Sequence, residues 1–150
     1  MILNRQRTAR LARRPLELFL RRVWNELGFE EADATICLVS DAEIARMNEA
    51  FRSKKGPTDV LSFPTKRLKR VTRPIRRGRR TSLKKRYLGD IAISPATAQR
   101  NAKTYGRKLG DEIRILILHG VLHLLGYDHE TDRGAMNRLE RKLRLRLGLA

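Results

Sequence analysis

The sequence predicts a single α/β domain, and two observations carry that expectation. Its 150 residues suit one domain, and a domain of that length buries roughly 70% of the surface its unfolded chain exposes, without help from disulfides. Along the chain, short segments rich in β-branched residues alternate with segments whose apolar residues recur at helical spacing. About four strands packed with four to five helices are expected over residues 1–150, with no repeat and no second domain.

Ile2 to Arg7 reads as a short strand. Leu16, Phe19, Leu20, Val23 and Leu27 then fall on one helical face, with Pro15 suited to the first helical position and Gly28 to the stop. Ala34 to Val39 (ATICLV) reads as a strand. Ser40 with Glu43 has capping-box spacing, which opens a helix to about Phe51. Lys54-Lys55-Gly56-Pro57 is a turn signal. Thr58 to Phe63 (TDVLSF) is a second strand closed by Pro64, and Leu88 to Ile93 (LGDIAI) another. Ser94-Pro95 pairs a capping side chain with a proline suited to the first turn, so a helix is expected to about Leu109, with Gly110 ending it. Asp111 and Glu112 favour the start of a further helix. That helix is apolar nearly all round to Leu125, hence central, and Gly126 stops it. The last helix is expected from Asp132 to Leu147, with Met136, Leu139, Leu143 and Leu147 on its core face.

The charge is strongly asymmetric: 34 Lys and Arg against 16 Asp and Glu, a net +18. Such an excess favours polyanionic partners, nucleic acid before anionic membrane surfaces. No apolar stretch reaches the ~20 residues of a membrane span. The N-terminus is Arg-rich, but a core helix already begins at Pro15, so a cytoplasmic protein is expected rather than one with a transit peptide. Cys37 is the only cysteine, so it reads as a small core residue in a reducing compartment. Residues 66–86 break the pattern, since twelve of the 21 are Lys or Arg and none is acidic. A packed core cannot use such a run, so a basic loop or arm is expected there.

All three histidines fall within eleven residues, His119-Gly-Val-Leu-His123-Leu-Leu-Gly-Tyr-Asp-His129. Two histidines four apart share one face of a helix, one turn apart, where both imidazoles reach a single ion. Gly126 lets the chain turn so that His129 can fold back as the third ligand. Three imidazoles leave one tetrahedral position open, the layout of a catalytic rather than a structural zinc site, with one zinc per chain. The spacing also matches the metzincin pattern H-E-x-x-H-x-x-G-x-x-H, except that Gly120 stands where the general-base Glu would be. That argues against peptide hydrolysis by the usual route, and Met136 fits the last helix's core face rather than a Met-turn.

The segment HGVLHLLGYDH resembles the signature of the YbeY family of rRNA-maturation endoribonucleases. Asn48 to Arg52 followed by Pro57-Thr58-Asp59-Val60-Leu61-Ser62-Phe63-Pro64 is similar to that family's N-x-x-[FY]-R…P-T-[DN]-V-L-S-F-P block, and Leu88-Gly89-Asp90-Ile91 to its L-G-D-[IVL] strand. The resemblance runs from about Ala34 to His129. It implies a compact α/β fold around a small mixed sheet, with His119, His123 and His129 as zinc ligands on a central helix and its following turn. It also implies a zinc-dependent single-strand endoribonuclease, a hydrolase acting on RNA in small-subunit (16S) rRNA maturation and ribosome quality control. Arg52 is a functional residue by the same resemblance. Family members commonly join the S-F-P and L-G-D strands by a loop that is not strongly basic; here that loop is residues 66–86.

Read from its own surroundings, Arg52 is either a phosphate-binding, charge-stabilising guanidinium or a solvated side chain beside Lys54 and Lys55. Asp59 and Asp90 are expected at strand starts, in turn roles before roles as partners of a ligand histidine. Asp128 is placed to orient a ligand. Thr58 and Ser62 are read as sheet residues, since no free histidine remains to activate them. Two other functions stand beside the nuclease: an rRNA- or ribosome-binding assembly factor with little nuclease activity, and a zinc peptidase lacking the usual Glu base.

Overall fold

Apolar alternation builds the sheet from which everything else hangs. The computed structural model describes residues 1–65, 86–128 and 131–149. Most of the expected basic arm and the expected ligand His129 therefore lie outside the described residues. Among those described, four strands and five helices run in the order β1 (Ile2–Asn4), α1 (Arg13–Leu27), β2 (Ala32–Leu38), α2 (Asp41–Arg52), β3 (Val60–Pro64), β4 (Arg86–Ile93), α3 (Pro95–Tyr105), α4 (Leu109–Leu124) and α5 (Ala135–Arg146).

The sheet order is β1-β2-β4-β3. β1 and β4 flank β2 in parallel, while β3 pairs antiparallel with β4 at the edge, so the sheet is mixed, as expected. Strand residues alternate between two faces. Ala34, Ile36 and Leu38 of β2, with Ile91 and Ile93 of β4, join α1, α4 and α5 in the larger core. Leu61 and Ala92 point the other way and pack with Val39 and with Ile44 of α2. Cys37 borders that second cluster and is half-buried; burial, then the nearby Asp90 carboxylate, raises its thiol pKa. It behaves as the small packing residue expected.

Several local expectations hold atom by atom. Ser40 Oγ accepts from the Glu43 amide at 3.1 Å, capping α2, and Ser94 Oγ accepts from the Thr97 amide at 3.3 Å, with Pro95 opening α3. Others need correction. α1 starts at Arg13, so Pro15 occupies its third position; its missing N–H is still among the first-turn amides that lack an intrahelical acceptor. α3 stops at Tyr105, not Leu109, because Gly106 takes the left-handed conformation (φ 66°) and Arg107 N–H closes on the Ala102 carbonyl at 2.8 Å. Gly110 consequently lies inside the first turn of α4. α5 begins three residues later than expected because the Asp132 carboxylate caps it from outside, accepting from the Gly134 and Met136 amides at 3.0 and 2.9 Å. β4 starts at Arg86, which puts Asp90 mid-strand rather than at a strand start.

Candidate metal centre

The central helix α4 is buried on almost every side, with Ile113, Ile117, Leu118, Val121 and Leu122 fully enclosed. It is interrupted by one half-buried stripe that carries His119 and His123. Their Nε2 atoms stand 3.1 Å apart, and the rings meet edge-on with centroids 4.7 Å apart. Each ring is also held from behind. His123 Nδ1 lies 2.9 Å from the Tyr127 carbonyl, and His119 Nδ1 lies 3.3 Å from Glu140 Oε1 of α5. A carbonyl and a carboxylate only accept, so both Nδ1 atoms are the donors and both Nε2 lone pairs face the same point.

Two lone pairs converging this closely repel unless a cation sits between them. The 3.1 Å separation approaches the ~3.3 Å edge of a tetrahedron with metal–nitrogen bonds of about 2.0–2.1 Å. A ligand histidine whose second nitrogen donates to a carboxylate or carbonyl is the usual arrangement around a protein-bound metal. On chemistry and spacing, the donor pair fits a zinc ion. Among the described residues no cluster of three ligating side chains is complete, since His129 lies outside them. The chain does reverse where expected: Gly126 adopts φ 95°, and the Tyr127 amide returns to the Leu122 carbonyl at 3.1 Å.

Gly120, between the two histidines, faces the sheet. A Cβ there would come within 2.8 Å of Ile91 Cγ2 and 2.9 Å of its Cδ1. The position of the metzincin glutamate therefore has no room for a side chain. From β3, Ser62 Oγ donates to the Gly120 carbonyl at 3.2 Å, a packing role for that hydroxyl, as expected. Gly89 makes the equivalent close approach one turn on. It adopts φ 143°, and its Cβ would clash with the Phe63 carbonyl and reach Leu124 Cδ2 at 3.0 Å. The His123 end of α4 thus lies over the end of the β3–β4 pair from which the 66–85 connection departs.

Arg52 ends α2 and is exposed. Its place is set by neighbours. Buried Asn48 donates from Nδ2 to the Gly56 carbonyl at 3.0 Å, folding residues 53–56 back against the helix end. Phe51 meets Phe63 of β3 edge-on at 5.1 Å. Arg52 itself makes no hydrogen bond or ion pair among the described residues and touches neither histidine. β3 is the element common to both: Phe63 meets the Arg52 end of α2, and Ser62 meets Gly120.

Among the described residues, neither Asp59 nor Asp90 bonds a histidine. Asp59 accepts from Asn101 Nδ2 at 3.2 Å and from Thr58 Oγ1 at 3.4 Å, tying the approach to β3 onto α3. Asp90 accepts from the Tyr87 hydroxyl, which also bonds Thr35 at 2.7 Å. Burial, then the Asp90 bond, raises the Tyr87 pKa. Asp128 is exposed, and the carbonyl of its neighbour Tyr127 bonds His123 Nδ1. Sequence reasoning missed Glu140. Its one signal was a carboxylate close to the apolar stripe of an otherwise basic helix.

No helix among the described residues is long and apolar enough to cross a membrane. Residues 1–148 match the family model for endoribonuclease YbeY. The chain is 42% identical over 145 residues to an endoribonuclease YbeY of Solibacter usitatus, covering 97% of this chain and 86% of that one. It is 38% identical over 149 residues to that of Koribacter versatilis, covering 99% and 86%. The solution structure of TM1509 from Thermotoga maritima superposes with a TM-score of 0.62 at 24% identity, over 98% of this chain and 89% of that one, and so shares the fold. With the family model spanning nearly its whole length and relatives this similar, the chain belongs to the endoribonuclease YbeY family of RNA-cleaving hydrolases.

Proposed function

We propose that the chain is a zinc-dependent, single-strand-specific endoribonuclease acting in small-subunit rRNA maturation and ribosome quality control in the cytoplasm. The observation that carries the metal is the convergence of His119 and His123 Nε2 at 3.1 Å, with both Nδ1 atoms turned away onto acceptors. His129 completes the ligand set in this reading. A bound zinc supplies Lewis acidity at a phosphodiester and lowers the pKa of a water molecule toward neutrality. His119 and His123 hold their lone pairs on it. Arg52, exposed and free of described partners, binds the phosphate and offsets the charge that grows on it during attack. The basic stretch 66–86 gathers RNA. Gly120 argues against the peptidase alternative, because no general base fits at that position.

The test is cleavage of a single-stranded rRNA precursor by zinc-loaded, nuclease-free protein beside its His123→Ala variant. Zinc content of about one per chain and cleavage lost in the variant are expected. Tight RNA binding with equal, negligible cleavage by both proteins would favour an assembly factor instead.

A further inference from the structure

We infer that Glu140 of α5 is a positioning residue for the metal centre, holding His119 as the Nδ1–H tautomer with its Nε2 turned toward His123. This rests on the zinc reading of the histidine pair. His123 is oriented by a backbone carbonyl, that of Tyr127, which no side-chain substitution removes. His119 depends on a side chain 21 residues away, at 3.3 Å.

Three features set Glu140 apart from a solvated helix charge. It is the only acidic residue in α5, whose other charges are Arg138, Arg141, Lys142, Arg144 and Arg146. Its side chain is only 14% exposed, where the ordinary place for a helix carboxylate is the wet face. It also lies one turn from Met136 and one from Leu143, both buried, so the backbone that carries it is fixed on the core. A carboxylate in such a setting loses hydration, which a charge-assisted hydrogen bond offsets. Because Glu140 Oε1 only accepts, the bond forces the His119 proton onto Nδ1 and keeps the Nε2 lone pair available. Without that acceptor the other tautomer, whose Nε2 carries a hydrogen and cannot ligate, becomes accessible. α5 thereby acts as a brace on the ligand helix.

The experiment measures zinc affinity of the full chain by competition with a chromophoric chelator, for wild type, Glu140→Ala, Glu140→Gln and His123→Ala. Alongside it, thermal unfolding is recorded for each metal-free protein, and a long-range proton–nitrogen spectrum of the neutral imidazoles for metal-free wild type, where no ion dictates the tautomer. Loss of such a partner typically weakens metal binding 10–100-fold, and that range is expected for Glu140→Ala. Glu140→Gln should bind close to wild type, because its amide oxygen accepts the same bond. The wild-type spectrum should show His119 protonated at Nδ1. Unchanged affinity in Glu140→Ala, or a wild-type His119 lacking the Nδ1 proton, overturns the inference while leaving zinc in place. Equally weak zinc binding by wild type and His123→Ala overturns the zinc reading and this inference with it. Should Glu140→Ala fail to fold, the wild-type spectrum still decides.

Discussion

Gly120 and Ile91 approach so closely that a methyl group added to the glycine would sit 2.8 Å from Ile91 Cγ2. The helix that carries the histidines is thus seated on the sheet by the absence of a side chain. Gly120→Ala should destabilise the protein by about 1–3 kcal/mol through overpacking. Ile91→Val in the same background should recover part of that loss by removing the Cδ1 methyl. Urea unfolding of the two single variants and the double variant measures the coupling. Additive losses would mean that the two side chains do not share the space.

Arg52 should matter to rate and not to architecture. Arg52→Ala is expected to lower RNA cleavage by roughly 10²–10³-fold, about 3–4 kcal/mol by analogy with other charge-stabilising donors. Zinc content and the circular dichroism spectrum should not change, since the guanidinium holds no described partner. A wild-type cleavage rate would return Arg52 to the solvated surface.

Acid should loosen the junction of α2 and α3. Asp41 loses some hydration there, which raises its pKa. Bonds from Ser94 Oγ at 2.5 Å, Thr97 Oγ1 at 2.7 Å and Arg100 at 2.9 Å outweigh that, and the carboxyl ends below its ordinary value. A folded-state pKa below the unfolded one means that the contribution is fully present above the unfolded pKa. It is lost as pH falls through the folded value. Urea midpoints recorded between about pH 6 and pH 2 should therefore show wild type losing its advantage over Asp41→Asn on acidification. A constant difference across that range would assign the network no role in acid stability.

The basic stretch should govern salt dependence. If half of the twelve Lys and Arg in residues 66–86 contact phosphates of single-stranded RNA, each contributes a slope of about −0.7 in log K against log[salt]. Joining Thr65 to Tyr87 through a short Gly/Ser linker should flatten that slope by roughly four units. Zinc content should stay the same. Identical slopes for the two proteins would show that the stretch does not hold RNA.

Much of this was legible in the sequence wherever the determinant was local. Ser40 with Glu43, Ser94 with Pro95, and the spacing of His119 and His123 each act within one helical turn: the two serines cap their helices, and the two histidines share one helix face. What was misread depended on remote partners or on a choice between two local signals. Gly110 was the expected stop for α3, but Gly106 comes four residues earlier and takes the left-handed cap. Asp90 was expected near a strand start because the strand was read from Leu88. β4 runs on to Arg86 because β2, through an irregularity at Asp33/Ala34, offers partners that far. Glu140 could not be assigned at all, since its meaning comes from a contact between two helices that periodicity alone does not juxtapose.

The sheet register also bears on the order in which the protein is completed during synthesis. Ile36 of β2 finds its neighbour in Ile91 of β4, so the centre of the sheet stays open until more than half of the chain has emerged. The histidine helix follows that strand, and the helix bearing Glu140 comes last. A chain elongating at roughly 5–20 residues per second therefore makes the histidine helix about one to four seconds before α5 is complete. On the zinc reading, nascent chains interrupted before α5 should have a sheet in place while holding metal poorly.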